Sequence, residues 1–330
     1  NQFIGNLKGL KLELDLKIGT LDTDIKSLKK AARQTIGPEF NRRIKEIIEK
    51  KLLEIKDDFK IYWNEFPIAK LLAGKDYLNP DLFLIVDDML ENNHKQKLSE
   101  FIDRWIKEKI NLVLKSLIDL KNLKDSNSSI KALAYQLYEN NGVVKRNQVS
   151  DYLKKLGQDE RKILRELGVK FGRYHVFLFR LLKPEAVSLR ILLWKNYHQK
   201  YFSLVPPKFG LNFLEGKNFN NKNFMLLCGF ENFDQFFVRI DILERLFMLI
   251  INTNPDKKRE IKLTPEMLNL LGCSKDNFKK LIKKMDYKTY EKNKEIYFQY
   301  NPKKEKIKKI FKKMNKEDSP FKILKNINFN

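Results

Sequence analysis

The chain has 330 residues, 42% of them apolar and 33% charged, with a net charge of +24. That apolar share supports packed cores, and the length exceeds one small domain at about 100–200 residues each, so global disorder and a single mini-domain are both excluded. An excess of 24 positive charges points to a polyanionic partner, nucleic acid or an anionic surface.

Residues 1–123 read as a duplicated β-β-α region. Phe3-Ile4-Gly5-Asn6-Leu7-Lys8-Gly9 leads into the alternation Leu10-Lys-Leu-Glu-Leu-Asp-Leu16, a strand with one apolar face. A helical pattern follows from Thr23 to Leu53, with a break expected at Gly37-Pro38. The order then returns. Ile61-Tyr-Trp63, the turn Asn64-Glu65, Pro67–Leu71 and Gly74 precede a strand at Asp81–Val86 and a helix over His94–Leu120. The chain opens at Asn1 inside a strand-like run, so a longer protein is expected.

Residues 124–205 form a helical, helix-turn-helix-like region. The polar run Lys124–Ser129 starts it, and helices are expected at 129–140, 147–156 and 158–167. A strand over 169–179 and a helix through Leu189–Trp194 follow. The strand interleaves Lys170, Arg173, Tyr174, His175 and Arg180 with aromatic residues. Such interleaving suits base stacking on single-stranded RNA with phosphate pairing beside it. Strict alternation places Arg173 and His175 with Phe171 and Phe177, and Lys170 and Tyr174 opposite. If the two phenylalanines are core, Arg173 turns inward; a bulge at Gly172 breaks that register.

Residues 206–301 form an α+β region opened by Pro206-Pro207 and Gly210. Phe236–Ile240 reads as a strand, and Asp241 with Glu244 reads as a capping box on the next helix. The unit 263–300 has a winged-helix pattern. Thr264 caps a helix with Pro265 in its first turn, Gly272 turns it, and Ser274 caps a second helix before a hairpin. That second helix has an inner face of Phe278, Leu281, Ile282 and Met285 and an outer face of Lys279, Lys280, Lys283 and Lys284. The lysines suit phosphates as point charges, carrying little base information; a solvated face is the plainer reading. A basic tail, 302–330, closes the chain.

Two distant cysteines, Cys228 and Cys273, make neither a disulfide framework nor a zinc site, which fits a reduced cytoplasmic protein. No apolar run nears the roughly 18 residues of a membrane span, so no membrane partner is expected. The three histidines, His94, His175 and His198, have no metal-ligand or triad spacing. Gly210–Asn218 is not a phosphate loop, because the glycine spacing is one residue too long and Asn218 stands where Ser or Thr binds magnesium. No catalytic, cofactor-binding or metal-binding residue is assigned, and this segment alone should not hydrolyse ATP.

The run Gly168-Val-Lys-Phe-Gly-Arg-Tyr-His-Val-Phe-Leu-Phe-Arg-Leu-Leu-Lys-Pro184 stands in order with Leu133–Leu137, Asn141-Gly142-Val143, Leu189–Trp194, Val238–Arg245 and Leu263–Ser274. Together with Ile68-Ala-Lys-Leu71, Gly74 and Leu78-Asn-Pro80, these blocks resemble the C-terminal region of bacterial superfamily 2 DExH-type RNA helicases related to the mitochondrial degradosome helicase. Phe179 departs from the proline expected there, which lengthens the strand or alters its exit. The resemblance implies RecA-like motor domains N-terminal to this segment, holding ATP and magnesium, and an accessory role here in gripping single-stranded RNA. It carries over no catalytic residue and admits a ribonuclease as a partner. Two other readings remain open: a scaffold docking a helicase to a nuclease or ribosome, and a winged-helix DNA-binding protein.

Overall fold

The computed structural model describes residues 5–14, 22–123, 127–199, 201–216, 221–254 and 260–301. The basic tail 302–330 and residues 124–126 of the Lys124–Ser129 linker lie outside them. The fold is mixed α+β, with small antiparallel sheets and long helices.

The chain begins with the hairpin β1 (Gly5–Lys8) and β2 (Lys11–Leu14), then α1 (Asp22–Lys50). Helix α1 runs through Pro38 instead of breaking there. Downstream of the proline, Phe40, Ile44 and Ile47 are all buried at helical spacing, and that packing outweighs one lost backbone bond. An antiparallel meander follows: β3 (Leu53–Ile55), β4 (Lys60–Trp63), β5 (Phe66–Asp76) and β6 (Asn79–Leu84). Ile61, Trp63, Ile68 and Leu71 point into its core. Helix α2 (Asn92–Val113) buries Leu98, Ile102, Ile106 and Ile110, one per turn. The helix expected to reach Leu120 is interrupted at Leu114 and resumes as α3 (Lys115–Lys121).

Helix α4 (Ser128–Glu139) is capped by Asn127, whose side chain accepts from the Ile130 amide at 3.0 Å. Then come β7 (Val143–Lys145), α5 (Ser150–Lys155), α6 (Gln158–Glu166), β8 (Val169–Phe171), β9 (His175–Leu178) and α7 (Pro184–His198). The single strand expected over 169–179 is thus a hairpin whose tip is Gly172–Tyr174. Phe179 starts a 3-10 turn, Phe179–Leu182, so it alters the exit rather than lengthening the strand. The sheet order is β7-β9-β8. One apolar cluster extends from Leu10 to Leu193, across the 123/124 boundary expected from the polar linker.

The last third holds β10 (Phe213–Glu215), α8 (Lys222–Leu227), β11 (Phe230–Phe233), β12 (Phe236–Arg239) and α9 (Ile240–Asn252). It ends in β13 (Ile261–Lys262), α10 (Pro265–Leu271), α11 (Lys275–Lys284), β14 (Tyr287–Lys292) and β15 (Glu295–Tyr300), with sheet order β13-β15-β14. Ser274 caps α11 through the Asn277 amide at 3.2 Å. Thr264 precedes α10 but its side chain makes no capping bond; its backbone carbonyl accepts from the Met267 amide at 3.2 Å. A second cluster, from Phe236 to Phe298, packs α9, α10 and α11 on the terminal sheet. Val143, Phe177 and Ile240 tie the middle of the chain to the start of α9. Among the described residues, no helix is long and apolar enough to cross a membrane.

Candidate nucleic-acid interface

The tip of the β8–β9 hairpin is held from two sides. Glu244 lies one turn into α9. Its carboxylate accepts from the backbone amides of Tyr174 and His175, each at 2.9 Å, and from that of Arg173. This overturns the capping box expected for Asp241 and Glu244. Arg239 occupies the N-cap position, and Asp241 pairs with its guanidinium at 2.7 and 2.9 Å. Glu244 instead meets three amide dipoles that converge on it, an arrangement that favours an anion. On the other side, Arg146 donates through Nη1 to the Gly172 carbonyl at 2.8 Å, and its backbone N–H reaches the Tyr174 carbonyl at 2.8 Å. Gly172 is required by space: a Cβ there would overlap the Glu244 carboxylate.

This clamp decides where the candidate residues point. Because the tip leaves the strand, period-two alternation stops at Phe171. Arg173 therefore faces solvent instead of turning inward, with its guanidinium 5.6 Å from the Phe247 ring centroid. Tyr174 is half-buried and meets the same ring edge-on at 5.9 Å. Lys170 is exposed on β8, whereas His175 and Phe177 are buried. Phe171 is half-buried beneath the guanidinium groups of Arg161 and Arg165, 5.8 and 5.7 Å away.

Arg146, Lys170, Arg173 and Arg245 share the rim of a cleft of about 650 Å3, whose walls include Phe171, Phe179, Phe247 and Met248. Phe179 and Met248 are 44% and 53% exposed, so aromatic and apolar surface is available between the cations. Arg173 also borders a second cleft of about 790 Å3, which reaches Tyr174, Lys284, Tyr287 and Tyr300. The hairpin tip is thus the ridge between two concavities, one of them lined by four cations against the two carboxylates Asp241 and Glu244.

His175 sits beneath that ridge, 1% exposed. Its Nε2 is 2.6 Å from Glu231 Oε2, and its Nδ1 is 3.7 Å from Glu244 Oε1. Lys145 completes the group, 2.9 Å from Glu231. Burial works against the charged imidazolium, but the hydrogen bond to Glu231 and the nearby Glu244 carboxylate together outweigh it and hold the His175 pKa above its ordinary value. Burial likewise opposes the charged form of Glu231, yet His175 and Lys145 keep its pKa below the usual carboxylate range. The group joins β7, β9, β11 and α9 with alternating charges, so its role is to lock the hairpin to the following sheet.

The lysine face of α11 is less uniform than its sequence. Lys279 pairs with Glu291 on β14, and Lys284 pairs with Asp234 in the β11–β12 turn. Lys280 and Lys283 are exposed, with no ion pair among the described residues. The structure therefore brings Lys170, Arg173 and Tyr174 together on the hairpin, places Lys284 on the neighbouring cleft, and leaves Lys280 and Lys283 out of the lining of both clefts. Arg146, Arg245, Glu231 and Glu244 were missed from sequence. Glu244 is separated from its tip partners by 69–71 residues, so no local spacing announces it. Among the described residues, no group of His, Cys, Asp or Glu is arranged to hold a metal. No family model matches the chain, and no curated protein or solved structure matches it either.

Proposed function

We propose that this chain is the RNA-binding accessory region of an ATP-dependent RNA helicase, gripping single-stranded RNA for N-terminal RecA-like motor domains that use ATP and magnesium. The observation that carries the reading is the cleft where four cations rim exposed phenylalanine and methionine surface at the Gly172–Tyr174 tip. Cations alternating with ring faces hold a flexible strand by its phosphates and its bases, without reading sequence. The helicase assignment rests on the resemblance of Gly168–Pro184 and Thr264–Ser274. In this reading, α10, α11 and the β13-β15-β14 sheet form a winged-helix-like unit, α4–α7 a helix-turn-helix-like region, and the first 123 residues a duplicated β-β-α region. The protein works in the cytoplasm, with its own motor and a ribonuclease as partners.

The ion pairs of Lys279 and Lys284 favour a second role for α11 itself: a protein-docking face, because half of its lysine stripe is already neutralised within the chain. The primary reading is tested by fluorescence anisotropy on labelled single-stranded and duplex RNA across salt. Four phosphate contacts at the rim give a log–log slope of about −2.8 for a single strand, roughly a 50-fold loss between 50 and 200 mM salt. Flat affinity over that range, or a clear duplex preference, overturns it.

A further inference from the structure

A third cleft, of about 690 Å3, lies away from the hairpin, between α4, α7 and the β5–β6 turn. Its chemistry differs from that of the basic rim. Helix α4 presents Lys131, Tyr135 and Tyr138 at one-turn spacing, which places them on one face. Helix α7 presents Tyr197 from the opposite wall. Tyr135 is 60% exposed and Tyr197 38%, the latter meeting the His198 ring at 5.2 Å and 85°. Tyr77 lines the same cleft, and its buried hydroxyl has no hydrogen-bond partner among the described residues.

Not every ring there is free to serve a ligand. Trp194 stacks on Tyr201 at 4.6 Å and 13°, so it forms wall. Tyr138 lies under the Lys121 ammonium at 5.0 Å, and Lys121 in turn reaches Asp76 at 3.4 Å. That occupied ring face argues against a cationic guest, which would meet Lys121 as a like charge. The walls also carry Asp76 and Glu139 against Lys121 and Lys131. The formal charges balance, unlike those of the basic rim, so a polyphosphate gains little. A neutral planar ring fits the exposed tyrosines, and Lys131 at the lip suits a single phosphate.

We propose that this cleft binds one unpaired nucleobase, stacked on Tyr135 and Tyr197, with the phosphate of its nucleotide beside Lys131. The inference borrows from the nucleic-acid reading only the class of ligand; its residues are separate from those at Arg173. The base belongs either to a free nucleotide or to an RNA strand.

The test uses the whole chain with two probes. Saturation-transfer NMR follows the H2 and H8 protons of 5′-AMP, with ribose 5-phosphate as the ringless control. Anisotropy follows a labelled 12-residue oligo(A). The variants are Tyr135→Ala/Tyr197→Ala, the ring-keeping Tyr135→Phe/Tyr197→Phe, and Arg173→Glu at the other cleft. Both tyrosines are exposed, and unchanged thermal melting verifies the fold. A stacked base is worth about 1–3 kcal/mol, so the alanine variant should weaken the dependent probe roughly 5- to 150-fold, and the phenylalanine variant should restore it. Tyrosine-dependent transfer to AMP identifies a nucleotide site; tyrosine dependence of oligo(A) alone identifies a base of a bound strand. AMP transfer that persists in Arg173→Glu, or in a chain with no oligo(A) affinity, supports this site even where the helicase reading fails. Full retention of both probes in the alanine variant overturns the inference, as does no binding of either probe to the unaltered chain.

Discussion

Glu244→Gln separates two views of the hairpin tip. Charge alone predicts that removing an anion beside Arg173 tightens RNA binding. The geometry predicts the reverse, because that carboxylate holds the amides of Arg173, Tyr174 and His175. In the variant one neutral oxygen still serves two amides, while the new NH2 group faces the third donor. Hydrogen bonds to a charged acceptor are worth about 1.5–3 kcal/mol and neutral ones about 0.5–1.5, so weakening two and losing one costs roughly 3.5–6 kcal/mol. Glu244 is only 12% exposed, so water recovers little of that. At about 1.4 °C per kcal/mol for a chain of 330 residues, melting should fall by roughly 5–9 °C by calorimetry. Below that transition, the loosened tip misplaces Arg173, and single-stranded RNA affinity drops by about fivefold, the equivalent of about 1 kcal/mol. Unchanged melting together with tighter RNA binding would refute the clamp.

Gly172→Ala forces a Cβ into the Glu244 carboxylate; overpacking of this kind costs about 1–3 kcal/mol, and a denaturant midpoint equal to that of the unaltered chain would show that the contact yields freely. The His175 group sets a pH window. Its raised folded pKa gives stability that is complete below the unfolded value of 6.5 and is lost as pH rises through the folded pKa. Glu231 is lowered, so its contribution is complete above 4.5 and is lost as pH falls through its folded pKa. Melting temperature should therefore be highest between 4.5 and 6.5 as far as this pair contributes, and His175→Gln should flatten the alkaline limb; an identical limb in the variant contradicts the assignment. On α11, Lys280→Ala/Lys283→Ala should reduce the salt slope of RNA binding by about 1.4 if both meet phosphates; an unchanged slope with lost partner capture would place that face in protein contacts.

Features that depend on near neighbours were legible from the residues alone. Burial of one residue per turn made α2 legible, Asn64-Glu65 marked a turn, and Ser274 announced the start of α11, because spacing and side-chain caps act within a few residues. The excess of positive charge and the basic-aromatic run at 168–184 were equally visible. Tertiary structure decided the rest. Continuation of α1 through Pro38 depended on Phe40, Ile44 and Ile47 finding a core. Glu244 was misread as a cap because its partners lie some 70 residues upstream. The outward turn of Arg173 followed from that same carboxylate, which ends the strand at Phe171 and makes a tip of the next three residues. Lys279 and Lys284 looked equivalent to Lys280 and Lys283 until Glu291 and Asp234 were folded against them. Helical periodicity assigns a side chain to a face, but the partner that claims its charge is fixed only when distant strands pack.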